Sequence, residues 1–262
     1  MKTISLVINT LNEETEIADC INSVGAFADE IIVCDMYSTD RTVEVAKRLN
    51  ATIVYHERTG YVEPARHYAI SQATCEWILV LDADERMTKE LRAKLKKIVE
   101  EDKYYLVTFC WLFEYFGDYL KDGTFYKNRV PRFFRQRVYL ENYSKREEKI
   151  HQNFRVIGKT INNKIELPPD FYLIHNAYPT IEKYVTKTLG KYARIEAEEM
   201  IKFGVSYSFW KMILDPLKSF LRNYFRNGGY QCGVRGFIKH YLYSVYRFNV
   251  WANVWFYEQN GN

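Results

Sequence analysis

No C-x-x-C pair occurs in this 262-residue sequence, and its five cysteines (Cys20, Cys34, Cys75, Cys110 and Cys232) are odd in number and scattered. That pattern excludes a disulfide framework and a cysteine-based zinc site, and it fits a reducing cytosol. Long hydrophobic runs are missing too. A spanning helix needs about 20 consecutive apolar residues, and the best candidate, 237–257, contains Lys239, His240, Arg247, Asn249 and Asn253. The N-terminus, Met1-Lys2-Thr3-Ile4-Ser5-Leu6, runs directly into a strand pattern, without the apolar core and cleavage site of a signal peptide. Internal repeats and low-complexity linkers are also absent.

What is present is ordinary globular material, 47% apolar and 27% charged, enough to bury a full core as one large domain or a domain with an appendage. Two features are uneven. Aromatic residues reach 16%, with 22 Tyr, and concentrate in the second half. The net charge is only +4, yet from Ile201 onward eight Lys and Arg face two acids, Asp215 and Glu258, which leaves the first 200 residues at −2. A basic, aromatic tail follows a slightly acidic body.

The first half alternates strand and helix signals, the pattern of an α/β fold with a mainly parallel central sheet flanked by helices. Ile4 to Ile8 is a short apolar run. Asn12 sits where a helix N-cap would, and Ile17, Ile21 and Val24 follow at helical spacing. Glu30 to Cys34 reads as a second strand ending at Asp35, after which Ser38, Thr39 and Asp40 can cap a helix through Val43, Ala46 and Leu49. Thr52 to Tyr55 is a third strand, and Pro64 suits the first turn of a helix running to about Ala73. Trp77 to Leu81, the most apolar strand, ends in Asp82-Ala83-Asp84-Glu85. Thr88 then caps a helix with Leu91, Leu95 and Ile98 on one side. Further on, 104–111 and 129–137 read as strands and Pro168-Pro169-Asp170 as a turn. A helix over 180–203 has Tyr184, Leu189 or Thr188, Tyr192 and Ile195 on one face. Two amphipathic helices, 209–222 and 237–255, are separated by Gly228-Gly229.

Ligands of open α/β sheets bind beyond the carboxyl ends of the strands. Three polar clusters fall at such ends here: Asn9-Thr10-Leu11-Asn12-Glu13, Asp35, and Asp82-Ala83-Asp84. Two carboxylates two residues apart at a strand end can reach one divalent cation and, through it, a diphosphate, because Mg²⁺ and Mn²⁺ take few protein carboxylates plus phosphate oxygens. The bland alternative is a turn or capping cluster. Asp35 can accept hydrogen bonds from a base or ribose, or serve its own turn. Arg66 can pair with a diphosphate, or be a surface arginine.

Three segments taken together, 6–14 (Leu-Val-Ile-Asn-Thr-Leu-Asn-Glu-Glu), 33–42 (Val-Cys-Asp-Met-Tyr-Ser-Thr-Asp-Arg-Thr) and 77–85 (Trp-Ile-Leu-Val-Leu-Asp-Ala-Asp-Glu), resemble family 2 glycosyltransferases of GT-A fold. Within that family the chain is similar to the lipopolysaccharide-core β-glucosyltransferase group. The match continues more loosely through Arg132-Phe133-Phe134-Arg135, Ile150-His151, 183–197 and Arg235-Gly236-Phe237. The resemblance implies inversion at the anomeric carbon, a nucleoside-diphosphate sugar donor (a UDP-sugar), and Mn²⁺ or Mg²⁺ bound through Asp84. It implies that Asn9, Thr10, Leu11, Glu13 and Asp35 hold the nucleoside, with Asp82 and Ala83 near the ribose. The family usually has proline where Asn9 stands and an aromatic where Leu11 stands, so base stacking must be weaker or come from elsewhere. The expected organisation is a catalytic domain over 1–203, with a nucleotide-sugar half (1–103) and an acceptor half (104–203), and a helical extension over 204–262.

An inverting transfer needs a carboxylate to deprotonate the acceptor hydroxyl. Related proteins often carry His-Glu where this chain has His151-Gln152. Glutamine cannot act as a base, so Glu148 or Glu147 becomes the candidate, with His151 as a metal or phosphate contact. In the tail, Trp210, Ile213, Leu214, Leu217 and Leu221 form one apolar helical face beside Lys211, Lys218 and Arg222, and Phe237, Tyr241, Val245, Phe248, Ala252 and Trp255 form another. Such helices can lie on a membrane surface, pack on the catalytic domain, or join a homo-oligomer. The expectation is therefore a cytoplasmic enzyme, peripheral at the inner face of the cell membrane, acting on a lipid-linked or cell-envelope glycan. A sugar-1-phosphate nucleotidyltransferase would share the sheet but wants a glycine-rich, basic loop that 9–14 does not offer. A non-catalytic membrane-docking scaffold is the other alternative, and the acidic strand ends argue against nucleic acid.

Overall fold

The structure is a computed structural model that describes residues 2–58, 63–143 and 161–260. Its elements form two compact units, one comprising 1–111 and 128–175, the other 112–127 and 176–262. The expected boundary at 203/204 lies inside the second of these. Glu147, Glu148 and His151 lie outside the described residues.

In the first unit, β1 (Ile4–Thr10), α1 (Ile17–Val24), β2 (Glu30–Asp35), α2 (Thr42–Arg48), β3 (Thr52–Tyr55), α3 (Glu63–Gln72) and β4 (Trp77–Asp82) alternate as the sequence pattern requires. They build four parallel strands in the order β3-β2-β1-β4. Strand side chains alternate between faces. Leu6 and Ile8 pack with α1 and with Leu91, Leu95 and Ile98 of α4 (Lys89–Glu101), while Val7 packs on the opposite side with Ala65, Ala69 and Ile70 of α3. Burial on both faces explains why these strands read as continuous apolar runs.

Past β4 the sheet becomes mixed. The short β5 (Glu85–Met87), β6 (Leu106–Tyr115), β8 (Arg129–Arg135), β9 (Lys164–Glu166) and β10 (Tyr172–Tyr178) extend it in the order β4-β8-β6-β10-β5. β8 is antiparallel to β4 and β5 antiparallel to β10. Thr88 caps α4 as expected, its Oγ1 accepting from the Leu91 N–H. Asn12 does not cap α1, which starts at Ile17 behind Glu16. Asn12 has a left-handed φ of 57°, and its Oδ1 accepts from the Thr39 N–H at 2.8 Å. It spends its side chain on joining the loops after β1 and β2.

The second unit holds β7 (Asp118–Tyr119), α5 (Gly123–Lys127), α7 (Ile181–Tyr184) with a π-helical continuation (Val185–Tyr192), α8 (Ala193–Lys202), α9 (Phe209–Leu221) and α10 (Gly233–Asn260). The helix α6 (Gln136–Tyr143) belongs to the first unit. Ala193 and Ala197 of α8 pack against Tyr246, Val250, Trp251 and Val254 of α10. Tyr192, expected to share a face with Tyr184, is exposed where Tyr184 is buried, because the π-helical turn shifts the register and brings Ala193 inward instead. The 112–127 segment is held by a buried polar cluster. Asp122 accepts from Lys239 Nζ at 2.7 Å and lies 2.9 Å from His240 Nε2, and Lys239 also donates to Thr124 Oγ1 at 2.9 Å. The Gly123 N–H donates to the Asn227 carbonyl at 2.7 Å, a separation so close that a Cβ on Gly123 would sit 2.6 Å from that oxygen.

Candidate active site

Parallel pairing sets the three polar strand ends side by side. Thr10 is in register with Asp35, and Asn9 with Asp82. Parallel neighbours lie about 4.8 Å apart, so the three clusters share one edge of the sheet. Asn9 and Thr10 are buried; the Asn9 amide meets the Cys34 thiol, and the Thr10 hydroxyl has no hydrogen-bond partner among the described residues. A buried hydroxyl in that condition costs stability, so local packing does not account for Thr10 at this edge.

Asp35 performs local work. Its Oδ2 accepts from the Ser38 N–H at 2.9 Å and its Oδ1 from the Ser38 hydroxyl at 2.5 Å. Each carboxylate oxygen keeps further acceptor capacity. The loops after β1 and β2 are tied by donation from the Asn12 N–H to Ser38 Oγ and from the Glu13 N–H to Thr42 Oγ1, both 2.8 Å. Leu11, between them, is half-buried. Two exposed rings stand at the same end. Tyr55, in register with Asp35, stacks on Tyr37 at 5.6 Å between centroids. Tyr37 holds a φ of 59°, left-handed backbone that costs a non-glycine residue about 1–2 kcal/mol.

Asp82 is clamped by two arginines. Arg66, from α3, reaches its Oδ1 at 2.6 Å, and Arg132, from β8, its Oδ2 at 2.8 Å. Arg132 also lies 3.3 Å from Glu85 Oε1, and its guanidinium sits over the Trp111 ring. Burial by itself would raise the Asp82 carboxyl. Arg132 and Arg66 overcome that and hold it well below the usual carboxylate range. Glu85, fully buried, goes the other way, because burial outweighs the pull of Arg132. Arg66, expected to face a diphosphate, thus has Asp82 as an ionic partner. Ala83 is buried between the two aspartates.

Asp84 meets a residue that the sequence patterns did not single out. His175 Nε2 lies 3.1 Å from Asp84 Oδ1, with each side chain 10% exposed. The His175 ring stacks on Trp111 at 4.7 Å, which fixes its plane. Its position follows from β-pairing, since His175 on β10 is opposite Glu85 on β5. Among the described residues no group of three or more His, Cys, Asp or Glu is arranged to hold a metal. One carboxylate and one imidazole in contact are a partial ligand set, which suits an ion that takes its remaining ligands from phosphate and water. Asp84 and His175 therefore fit that role by donor chemistry.

The chain is 29% identical to an uncharacterized glycosyltransferase of Rickettsia prowazekii (strain Madrid E), over 95% of this chain and 85% of the relative. It is 27% identical to the lipopolysaccharide core biosynthesis glycosyltransferase LpsC of Rhizobium meliloti (strain 1021), over 96% and 92% respectively. In fold it is similar to the mannosyltransferase PcManGT of Pyrobaculum calidifontis, solved in complex with GDP-Man and Mn²⁺ (TM-score 0.62, 16% identity, 97% of this chain and 87% of that one). It is also similar to Staphylococcus aureus TarS 1–349 (TM-score 0.54, 16% identity, 99% and 92%). The mixed, helix-flanked sheet is thus GT-A-like. The Glycosyl transferase family 2 model matches residues 5–160, more than half of the chain, and the protein accordingly belongs to that family and is a glycosyltransferase.

Proposed function

We propose that this glycosyltransferase transfers a sugar, with inversion, from a UDP-sugar to a lipid-linked or cell-envelope glycan, using Mn²⁺ or Mg²⁺, at the cytoplasmic face of the cell membrane. The observation that carries the reading is the meeting of Asp82-Ala83-Asp84 with Asp35, Thr10 and His175 at one sheet edge. The nucleotide sugar and Mn²⁺ bound by PcManGT support a donor and ion of this kind. The lipopolysaccharide-core role of LpsC supports an envelope acceptor.

Asn9, Thr10, Leu11, Glu13 and Asp35 take the nucleoside, the unsatisfied hydroxyl of Thr10 gaining a partner from it. Asp82 and Ala83 face the ribose, and Arg66 stands by the diphosphate. Asp84 and His175 would hold the divalent ion, which when bound neutralises charge developing on the departing diphosphate. Glu148 or Glu147 removes the acceptor hydroxyl's proton. The acceptor oxygen then bonds to the anomeric carbon as the bond from that carbon to the diphosphate oxygen breaks. His151 supplies a further metal or phosphate contact. Purified protein with Mn²⁺ is expected to release UDP from a UDP-sugar and to lose that activity in EDTA. UDP-sugars should raise its melting temperature where GDP-sugars do not. No release from any UDP-sugar, or stabilisation by GDP-sugars alone, would remove the donor assignment.

Tyr37 and Tyr55 offer the aromatic surface that Leu11 does not. Stacking a base on an aromatic ring contributes about 1–3 kcal/mol by alanine substitution. Tyr37→Ala is therefore expected to weaken UDP binding about 10-fold by calorimetry, while Tyr37→Phe leaves it unchanged. Equal affinity for wild type and Tyr37→Ala would take the ring out of the base site.

A further inference from the structure

The basic, aromatic tail folds with its apolar side outward. Along α9, Trp210, Ile213, Leu214, Leu217 and Leu221 recur three and four residues apart and are 40–69% exposed. The buried side of the same helix is the more polar one. Ser219 is buried there, Met212 packs on the α8–α10 core, and Asp215 accepts from Arg247 Nη2 at 2.8 Å and from Trp251 Nε1 at 3.2 Å. Water alone does not favour this orientation. A contiguous exposed apolar stripe of this length marks a contact surface rather than the usual scatter of single apolar residues.

Charge identifies the partner. Lys211, Lys218 and Arg222 are seven and four residues apart, so they line one edge of the stripe, and all three are exposed. The segment's two acids are withdrawn. Asp215 is bound to α10, and Glu258 accepts from the Tyr207 N–H at 2.6 Å. The outer side of α9 therefore presents cations and apolar side chains, with no carboxylate of its own. Rings extend the patch onto the start of α10, where Phe237 and Tyr241 stack at 5.9 Å and Phe220 meets Phe237 edge-on at 5.8 Å. No helix among the described residues is long and apolar enough to cross a membrane, so the surface can lie on a bilayer but not pass through it.

We propose that this unit docks on anionic phospholipid through the outer face of α9 and the first turns of α10. The apolar side chains enter the headgroup–acyl boundary, while Lys211, Lys218 and Arg222 extend their stems along it to reach headgroup phosphates. A second copy of the chain suits the face less well, since a self-complementary contact brings the two cationic rows together. The inference deepens the membrane-face placement proposed above by naming the surface and the lipid class, and it rests on that placement.

The test is co-sedimentation of the full-length protein with vesicles of phosphatidylcholine alone or mixed with 30% phosphatidylglycerol. The expected result is binding to the anionic vesicles at least about 100-fold tighter at low salt, weakening as salt rises. Leu214→Glu with Leu217→Glu should abolish binding to either vesicle, and Lys218→Glu with Arg222→Glu should abolish the preference for phosphatidylglycerol. All four positions are exposed, so unchanged melting temperature and unchanged UDP release from a soluble donor are expected in both variants. Equal binding to both vesicles, none to either, or retained binding by Leu214→Glu/Leu217→Glu would overturn the proposal. So would a wild-type dimer by light scattering that this double variant splits without any vesicle binding. UDP release is measured without lipid, so a failed transferase reading and a failed docking surface give separate results.

Discussion

Asp84→Ala is expected to lower UDP release at saturating Mn²⁺ by about 1,000-fold or more, with little change in melting temperature. The size follows from what the carboxylate is proposed to do. A divalent ion stabilises charge on the leaving diphosphate by several kcal/mol, and 1,000-fold corresponds to about 4 kcal/mol of barrier. Asp84 contacts His175, whereas Arg66 and Arg132 make their ion pairs with its neighbour Asp82, so the loss of Asp84 leaves those two pairs in place. His175→Ala leaves the Asp84 carboxylate in place and should cost less, about 10- to 100-fold. Raising Mn²⁺ should recover part of the His175→Ala loss and none of the Asp84→Ala loss. Asp82→Ala makes a useful contrast. It leaves the buried guanidiniums of Arg66 and Arg132 short of a partner, so it should lower stability as well as turnover. If Asp84→Ala kept a tenth of wild-type turnover, the ion-binding role would have to move to other residues.

The contrast between Asp84 and His175 also marks how far the sequence could be read. Asp84 lies directly beyond Trp77–Leu81, and a strand buried on both faces is an apolar run whose polar end is easy to see. The same holds for Asn9 and Thr10 after β1 and for Asp35 after β2, and parallel pairing places all of these where the runs imply. His175 and Arg132 arrive through antiparallel pairing of β10 with the three-residue β5 and of β8 with β4. Partners 90 and 50 residues apart in sequence leave no local periodicity to signal them. Asn12 was misleading for a related reason. A residue with good capping chemistry was taken up by a tertiary contact to Thr39. In the tail, helical spacing identified the apolar stripe of α9, but spacing defines a side of a helix and not what covers it. The outward orientation became visible only with the burial of Ser219 and the inward pairing of Asp215.

The Asp122 cluster carries the second large expectation, this one on stability. Asp122 is wholly buried at its side chain, and Lys239 and His240, its two partners, are nearly so. Removing one member of a buried ion pair typically costs 3–5 kcal/mol, because the remaining charge stays out of water without compensation. Asp122→Ala should therefore destabilise α10 by about that amount, read as faster amide hydrogen exchange in 233–260 and an earlier urea transition. Combining Asp122→Asn with Lys239→Met removes both charges and should recover much of the loss. The cluster also fixes a sign for acid. Burial would raise the Asp122 carboxyl, but hydrogen bonding with His240 and the Lys239 charge prevail and hold it below its ordinary value. A carboxyl depressed in the folded state stabilises above its unfolded pKa of about 3.9 and loses that contribution as pH falls toward the folded value. The protection factor of wild-type α10, corrected for the intrinsic slowing of exchange in acid, should fall below about pH 4, and Asp122→Ala should flatten that fall. An α10 equally stable in Asp122→Ala and wild type at pH 7 would show that the loop at 116–127 is held by its backbone contacts, such as Gly123 to Asn227, rather than by charge.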